Sequence, residues 1–289
     1  MGTPRSVIFA GCAQDCARFL PRVLKNIQRV SALFAQSAFV VCENDSADAT
    51  KKMLSEWGAG RENFELVNLD GLGNGPSRSA RLAFVRNVVI EFIKTWEKAR
   101  GFELLFLMDF DDVNVDELDL ETLSKALEWM SGQRDVAAIF PNQIGGPYYD
   151  LWALRHETRC PTDIWEELLD YSLKNKCDKE TAFQATLAKR IFALPQDAEP
   201  LEVHSAFGGF GIYRLDYVLK NKNPYLGQKI KVLRDAEKYS VVLRDECEHI
   251  HFHEGIRDLG GKLFVMPGLV NGNTKDFSFS WSGVKNRVS

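Results

Sequence analysis

Leu104-Leu105-Phe106-Leu107-Met108-Asp109-Phe110-Asp111-Asp112 runs five apolar residues straight into three carboxylates interrupted by one aromatic ring. A short apolar run bounded by polar residues suits a strand buried on both faces, as in parallel sheets. Carboxylates at the C-terminal end of such a strand lie where open α/β sheets hold their ligands. Three acids this close repel one another and raise each other's pKa unless a cation shares them. Hard oxygen ligands at alternate positions suit Mg²⁺ or Mn²⁺ carrying a phosphate-bearing substrate. The same residues also suit a solvated acidic turn ahead of a helix N-terminus. The stretch alone leaves both readings open.

Toward the N-terminus, strands are expected at 6–11, 38–42 and 64–68, with helices over 15–34, 50–57 and 77–99. The first helix is read from Leu20, Val23, Leu24, Ile27, Val30 and Leu33, which recur at helical spacing, with Pro21 tolerated in the opening turns. Ser46 or Asp48 can cap the second helix. This strand–helix alternation predicts a parallel α/β sheet. Residues 70–77 form a glycine-rich loop that is not GxGxxG, and it reads as a gate or a connector.

Toward the C-terminus, a helix is expected over 118–131 and a strand over 136–140. Tyr148, Tyr149 and Trp152, beside Asp150 and Arg155, suit either a carbohydrate-binding surface or a core strand. Residues 156–200 read as helical and charged, and 202–213 place three glycines among aromatics. His249, His251 and His253 would share one face of a strand, but only His249 and His253 would share a helix face. Ile256 and Leu259, leading to Gly260-Gly261, favour the helix. A last strand is expected at 262–267, followed by a polar tail carrying Phe277, Phe279 and Trp281.

The bulk numbers narrow the function classes. With 45% hydrophobic and 26% charged residues among 289, the composition is that of a soluble globular protein. A net charge of -4 gives no global drive toward nucleic acid or an anionic membrane. No apolar run reaches the roughly 18 residues of a membrane helix, and residues 1–10 do not make a signal peptide. The six cysteines include no CxxC pair, so they read as reduced thiols in a cytoplasmic protein.

In a parallel sheet, Asp109 and Asp111 share a carboxyl-terminal edge with Glu43-Asn44-Asp45. Asp45 could bind a ribose or a base, or simply cap the next helix. Arg78 and Arg81 share a helix face, as do Leu82 and Arg86. A nucleoside diphosphate needs both a metal and a cation, and arginine offers a fork for its oxygens.

Taken in order, these segments resemble the GT-A type of nucleotide-sugar glycosyltransferase. Asp109-Phe110-Asp111 matches the family's DxD motif, and the run from Glu43 to Thr50 is similar to its acidic turn. Arg81 to Asn87 resembles its R-N helix, and Gly208-Gly209-Phe210 its glycine-rich segment. Cys247-Glu248-His249 is similar to its x-E-D helix, with His249 standing where the pattern has Asp. The resemblance covers most of residues 6–267 and is nearest to capsule- and cell-wall-type α-mannosyltransferase branches.

The resemblance implies an α/β, Rossmann-like, mostly parallel central sheet flanked by helices, with acceptor-side insertions. It implies one GT-A domain over 1–289, with 1–115 the nucleotide-binding half and 116–289 the acceptor-binding half and C-terminal tail. The implied activity is that of a metal-dependent hexosyltransferase in glycan biosynthesis, using Mn²⁺ or Mg²⁺. It would move a sugar from a UDP- or GDP-sugar to a hydroxyl of a carbohydrate or glycoconjugate. Asp109 and Asp111 would hold the metal, with His251 as a third ligand. Glu43, Asp45, Arg81, Arg86 and Asp109 would contact the donor. Glu248 would be the catalytic base of an inverting enzyme, or an acceptor contact in a retaining one.

Two other readings stand beside this one. A nucleotidyltransferase would need a phosphate loop rich in Gly, Arg and Lys, a character that Gly11-Cys12-Ala13-Gln14 lacks. A non-catalytic carbohydrate-binding protein would rest on Tyr148, Tyr149 and Trp152.

Overall fold

A computed structural model describes residues 6–273 apart from Asn74, Pro76, Ala236 and Glu237. Phe277, Phe279 and Trp281 of the tail lie outside the described residues. The N-terminal half alternates strand and helix: β1 (Ser6–Ala13), α1 (Leu20–Ser31), β2 (Gln36–Glu43), α2 (Thr50–Gly58), β3 (Phe64–Asn68), α3 (Arg78–Thr95) and β4 (Leu104–Asp109). Next come α4 (Leu120–Gly132), β5 (Val136–Ile144), α5 (Ile164–Asn175), α6 (Lys179–Ala185) and β6 (Leu201–Val203). β7 (Phe210–Arg214) and α7 (Leu215–Lys220) lead to the hairpin of β8 (Gln228–Asp235) and β9 (Lys238–Asp245). α8 (His249–Asp258) and β10 (Lys262–Asn273) complete the described elements.

Eight strands form one sheet in the order β3-β2-β1-β4-β7-β5-β10-β6. The first four are mutually parallel, and β10 is parallel to β5. β7 runs antiparallel between β4 and β5, and β6 runs antiparallel to β10. The fold is therefore a mixed α/β one with a mostly parallel central sheet, as the strand–helix alternation implied.

β1 and β4 are apolar on both faces because both faces are covered. Ile8, Ala10, Leu105 and Leu107 pack with Val85 and Val89 of α3 and with Phe252 and Ile256 of α8. Their alternates Phe9, Phe106 and Met108 pack with Leu20 and Ile27 of α1 and Leu123 and Leu127 of α4. Phe39, Phe9, Phe106 and Phe210 form a row of rings across neighbouring strands, at centroid spacings of 5.7, 5.2 and 4.7 Å. Such contacts fix the register of β4, and with it the position of its terminal aspartate.

Three local expectations change. α1 begins at Leu20 instead of Asp15, since Pro21 sits in its first turn and Asp15 takes φ 49°, outside the helical region. Tyr148 is not a surface residue; its buried ring stacks on Phe192 at 5.6 Å. The hairpin at 228–245 carries strands where none was expected.

Candidate functional site

β4 delivers Asp109 to the carboxyl edge of the sheet, and the chain then turns sharply through Phe110 and Asp111 into a short 3₁₀ turn over Asp112–Asn114. Asp111 starts that turn, accepting the Val113 N–H at 3.3 Å. The turn is held by buried amides. The Asn114 side chain donates to the carbonyls of Asp109 (2.8 Å) and Gly209 (2.9 Å). Asn271 donates to Asn114 Oδ1 at 3.1 Å and to the Gly208 carbonyl at 2.9 Å, and Gln143 donates to that same carbonyl at 2.8 Å. Gly209 has φ 108°, and a Cβ there would lie 2.7 Å from Val113. Only glycine lets the lead-in to β7 press this close to the acidic turn.

Two clefts meet at these carboxylates. The first has a cavity volume of about 190 Å³ and is lined by Cys12, Gln14, Asn44, Arg78, Arg81, Asp109 and Asp111, among others. The second has a cavity volume of about 170 Å³ and is lined by Asp109, Asp111, Asp112, Tyr149, Trp152, Phe207, Glu248 and His249, with others. Arg78, Leu82, Asp109 and Asp111 belong to both.

Arg86 ties the two sides together from below. It is buried, and its Nη2 donates to Asp109 Oδ1 at 2.7 Å while its Nε donates to Glu248 Oε1 at 3.2 Å. Its Cζ lies 4.7 Å from the Phe207 ring centroid, a cation–π contact. Its Nη1 has no hydrogen-bond partner among the described residues. Burial alone would lower the guanidinium pKa; Asp109 and Glu248 overcome that and raise it. Arg86 is therefore a permanent buried cation.

Burial pushes the Asp111 carboxyl up to about 6, and the neighbouring Asp109 charge adds to the rise. Burial likewise raises the Glu248 carboxyl, with Arg86 opposing. His249 is held neutral by burial and by Arg86; its Nε2 lies 3.5 Å from Glu248 Oε1 and its ring stacks on Phe207 at 4.0 Å. His253 is locked between Ser205 Oγ (2.8 Å) and Tyr213 Oη (2.9 Å), a packing role beneath the site.

The site residues expected from sequence divide into two groups. Asp109, Asp111, Arg81, Arg86 and Glu248 converge, and Arg78 joins them. Glu43, Asp45 and His251 line neither cleft. Glu43 is buried beneath the turn after β2, where its Oε1 accepts the Ser46 N–H at 2.9 Å. Asp45 (φ 49°) uses both carboxylate oxygens on the glycine-rich loop, accepting the N–H of Gly71 at 2.6 Å and of Gly73 at 2.8 Å. Those two bonds lower its pKa. Asp45 thus pins residues 70–73, the start of the glycine-rich loop.

α8 is helical, so His251 faces away from His249 and His253; its Nδ1 lies 2.9 Å from the Pro224 carbonyl. Among the described residues no group of three or more His, Cys, Asp or Glu side chains is placed to hold a metal, so His251 does not join Asp109 and Asp111. Cys12, Gln14 and Asn44 in the first cleft, and Asn114, Gln143 and Asn271 beneath the turn, have no site role in the sequence expectations. Asn44 was discoverable, since it directly follows a buried strand on the ligand edge. The three amides carry no local signal.

No protein-family model matches the chain, and no curated protein matches its sequence. Among solved structures, a crystal structure of S. aureus TarS 1–349 is 13% identical at a TM-score of 0.47, covering 92% of this chain and 59% of its own. A mannosyltransferase PcManGT from Pyrobaculum calidifontis, in complex with GDP-Man and Mn²⁺, is 12% identical at a TM-score of 0.45, covering 94% and 57%. GalNAc-T7 with UDP, GalNAc and Mn²⁺ is 13% identical at a TM-score of 0.49, covering 93% and 44%. The chain thus spans less than two thirds of each of these proteins, and likeness at this level assigns no residue. Among the described residues no helix is long and apolar enough to cross a membrane.

Proposed function

We propose that this chain is a metal-dependent glycosyltransferase of GT-A type, moving a sugar from a nucleoside-diphosphate donor to an acceptor hydroxyl. The observation that carries the reading is the meeting of two clefts at Asp109 and Asp111, with arginines on one side and Glu248 on the other. A two-substrate transfer needs such a junction, with the donor's reactive carbon at the boundary.

The residues present fit a divalent cation. Asp109 already has a guanidinium partner, whereas the half-buried Asp111 is pushed toward protonation by desolvation and by the Asp109 charge, with Arg78 opposing only in part. Mg²⁺ and Mn²⁺ take one or two carboxylates and complete their shell with water and substrate phosphates. Asp109 and Asp111 suffice for that without His251. Bound there, the ion would stabilise the charge developing on the departing diphosphate.

The chain's own groups supply the rest. Arg78 and Arg81 would hold phosphate oxygens in the first cleft. Asn44 and Gln14 would face the nucleoside, the role first expected of Asp45. In the second cleft the acceptor oxygen would attack the sugar carbon as the bond to the diphosphate breaks. Glu248, raised in pKa by burial, would receive the hydroxyl proton. Arg86 fixes the orientation of Glu248 relative to Asp109.

Thermal unfolding with UDP and with GDP, with and without Mn²⁺, tests this. A ligand that binds only the folded state raises its stability, by about 2.7 kcal/mol at a hundredfold excess over Kd. The expected result is a rise in Tm that requires nucleotide and metal together. No shift with either nucleotide in the presence of Mn²⁺ would sink the proposal.

A further inference from the structure

Trp152 lines the second cleft, yet the transfer chemistry gives it no task. Its ring is held from two ends. The indole N–H donates to Asp163 Oδ2 at 3.1 Å, and the Trp152 carbonyl accepts from Arg155 Nη1 at 2.9 Å. Arg155 and Asp163 are both buried, and Arg155 Nη2 donates to the same Asp163 oxygen at 2.8 Å. A buried ion pair recovers little net stability after desolvation. The work visible for this pair is to fix one aromatic side chain.

The backbone behind the ring is tied down as well. Asp150 accepts the N–H of Ala153 at 3.2 Å and of Gly208 at 3.1 Å, and the Arg155 N–H donates to the Ser205 carbonyl at 2.9 Å. Asp163 Oδ1 caps α5, accepting the N–H groups of Trp165 and Glu166, both at 3.0 Å. An indole whose N–H is already engaged offers a ligand its ring and not a polar contact.

The cleft's charges narrow what can stack there. Five carboxyl groups line it against the guanidiniums of Arg78 and Arg86, and Arg86 is engaged by Asp109 and Glu248. One divalent cation does not reverse that sign, so an anionic ligand is repelled. Carboxylate oxygens only accept hydrogen bonds, which favours a ligand rich in hydroxyl donors. A cationic ligand needs open aromatic faces around it. Phe207 already stacks on His249 at 4.0 Å and carries the Arg86 guanidinium 4.7 Å from its centroid, and Arg86 is itself a like charge. A pyranose, with an apolar C–H face and a rim of hydroxyls, meets both demands.

We propose that an uncharged pyranose stacks on Trp152 in the second cleft, with Asp163 and Arg155 as positioning residues. Its role as the acceptor that bears the attacking hydroxyl rests on the transferase reading; its binding does not. The same acids disfavour phosphorylated and carboxylated sugars.

Saturation-transfer difference NMR on the full chain, without nucleotide or metal, tests this. The probes are the methyl glycosides of glucose, mannose and N-acetylglucosamine, with glucose 6-phosphate and tetramethylammonium as charged counterparts. Each is used at about 10 mM, suited to millimolar affinity. At least one neutral glycoside should show transfer to its ring C–H protons. Trp152→Leu should lower that signal about fivefold or more, and Trp152→Phe, which keeps an aromatic face, should retain most of it. Asp163→Asn can still cap α5; it should shift the Trp152 indole N–H resonance and lower the signal at least twofold. Silence from all three neutral glycosides overturns the inference. So does a signal unmoved by Trp152→Leu, or an equal signal from either charged probe. An indole resonance and sugar signal both unmoved by Asp163→Asn overturn the positioning role. A Mn²⁺-dependent nucleotide shift in Tm without a Trp152-dependent sugar signal sinks this inference and leaves the transferase reading standing. The converse result sinks that reading and supports the sugar site.

Discussion

Replacing Asp111 with asparagine should make the metal-free protein more stable at neutral pH. The carboxyl is pushed from its ordinary 3.8 up to about 6, first by burial and then by Asp109. A group whose folded pKa is raised favours folding when protonated. Its contribution is complete below pH 3.8 and is lost as pH rises through about 6. At neutral pH, holding it ionised therefore works against the fold by about 3 kcal/mol, at 1.36 kcal/mol per pKa unit. Asparagine keeps the shape and can still accept the Val113 N–H, but its amide must find partners of its own. A net gain of about 1–2 kcal/mol is expected once that cost is subtracted, or about 2–3 °C in Tm for a chain of 289 residues. The assay is thermal unfolding of both proteins in EDTA from pH 4 to 8. The gap should be widest above pH 7 and should close toward pH 4. With Mn²⁺ and the nucleoside diphosphate present, wild type should gain stability and the variant should not. A variant that melts at or below wild type at pH 7.5 in EDTA, or a gap independent of pH, would refute the reasoning.

Arg86→Met should be the most damaging of the site substitutions, because it strands the buried Glu248 carboxylate and removes the partner of Asp109. Breaking a buried pair in this way costs about 3–5 kcal/mol; the fall in Tm should be smaller at pH 5, where Glu248 can take up a proton. Gly209→Ala should cost about 1–3 kcal/mol through its left-handed backbone, read as a lower urea midpoint, and the Cβ clash with Val113 should also weaken the metal-dependent nucleotide shift. Glu248→Gln should preserve that shift, since its amide oxygen can still face Arg86, yet lower sugar transfer by about 10²-fold or more. Near-wild-type turnover would remove Glu248 from the role of base.

The Rossmann-like half was legible because its signals are local. Apolar runs buried on both faces mark parallel strands, and the acids at their ends fall on one edge whatever the details of packing. The placement of Asp109 and Asp111 on that edge could be read that way. Arg86 was expected, through the resemblance of its helix to the R-N helix, as a donor contact; that it is buried between Asp109 and Glu248 had no signal, since arginine on a helix usually faces water. Its burial depends on Glu248, 162 residues away in sequence, and nothing near either residue announces the partner. Asp45 misled for the opposite reason. It stands on the correct edge, but its φ of 49° turns its carboxylate toward the glycine-rich loop, a local choice that spacing cannot convey. The hairpin escaped notice because its lysines point inward, where alternation is normally read with the apolar set inside.

The unequal treatment of the two aspartates explains why this edge can be a working site instead of a merely acidic one. A guanidinium satisfies Asp109 permanently and places it relative to Glu248. Asp111 is given burial and a like charge 2 residues away, with its Val113 N–H bond as partial relief. If both acids were paired to arginines, the edge would be stable and closed to a cation. If neither were, mutual repulsion would push both toward the protonated form and scatter their geometry. Pairing one and straining the other keeps the frame rigid while leaving a carboxylate that Arg78 and the Val113 N–H relieve only in part. On the proposed reading, the strain on Asp111 would favour a bound cation, an exchange of stability for function.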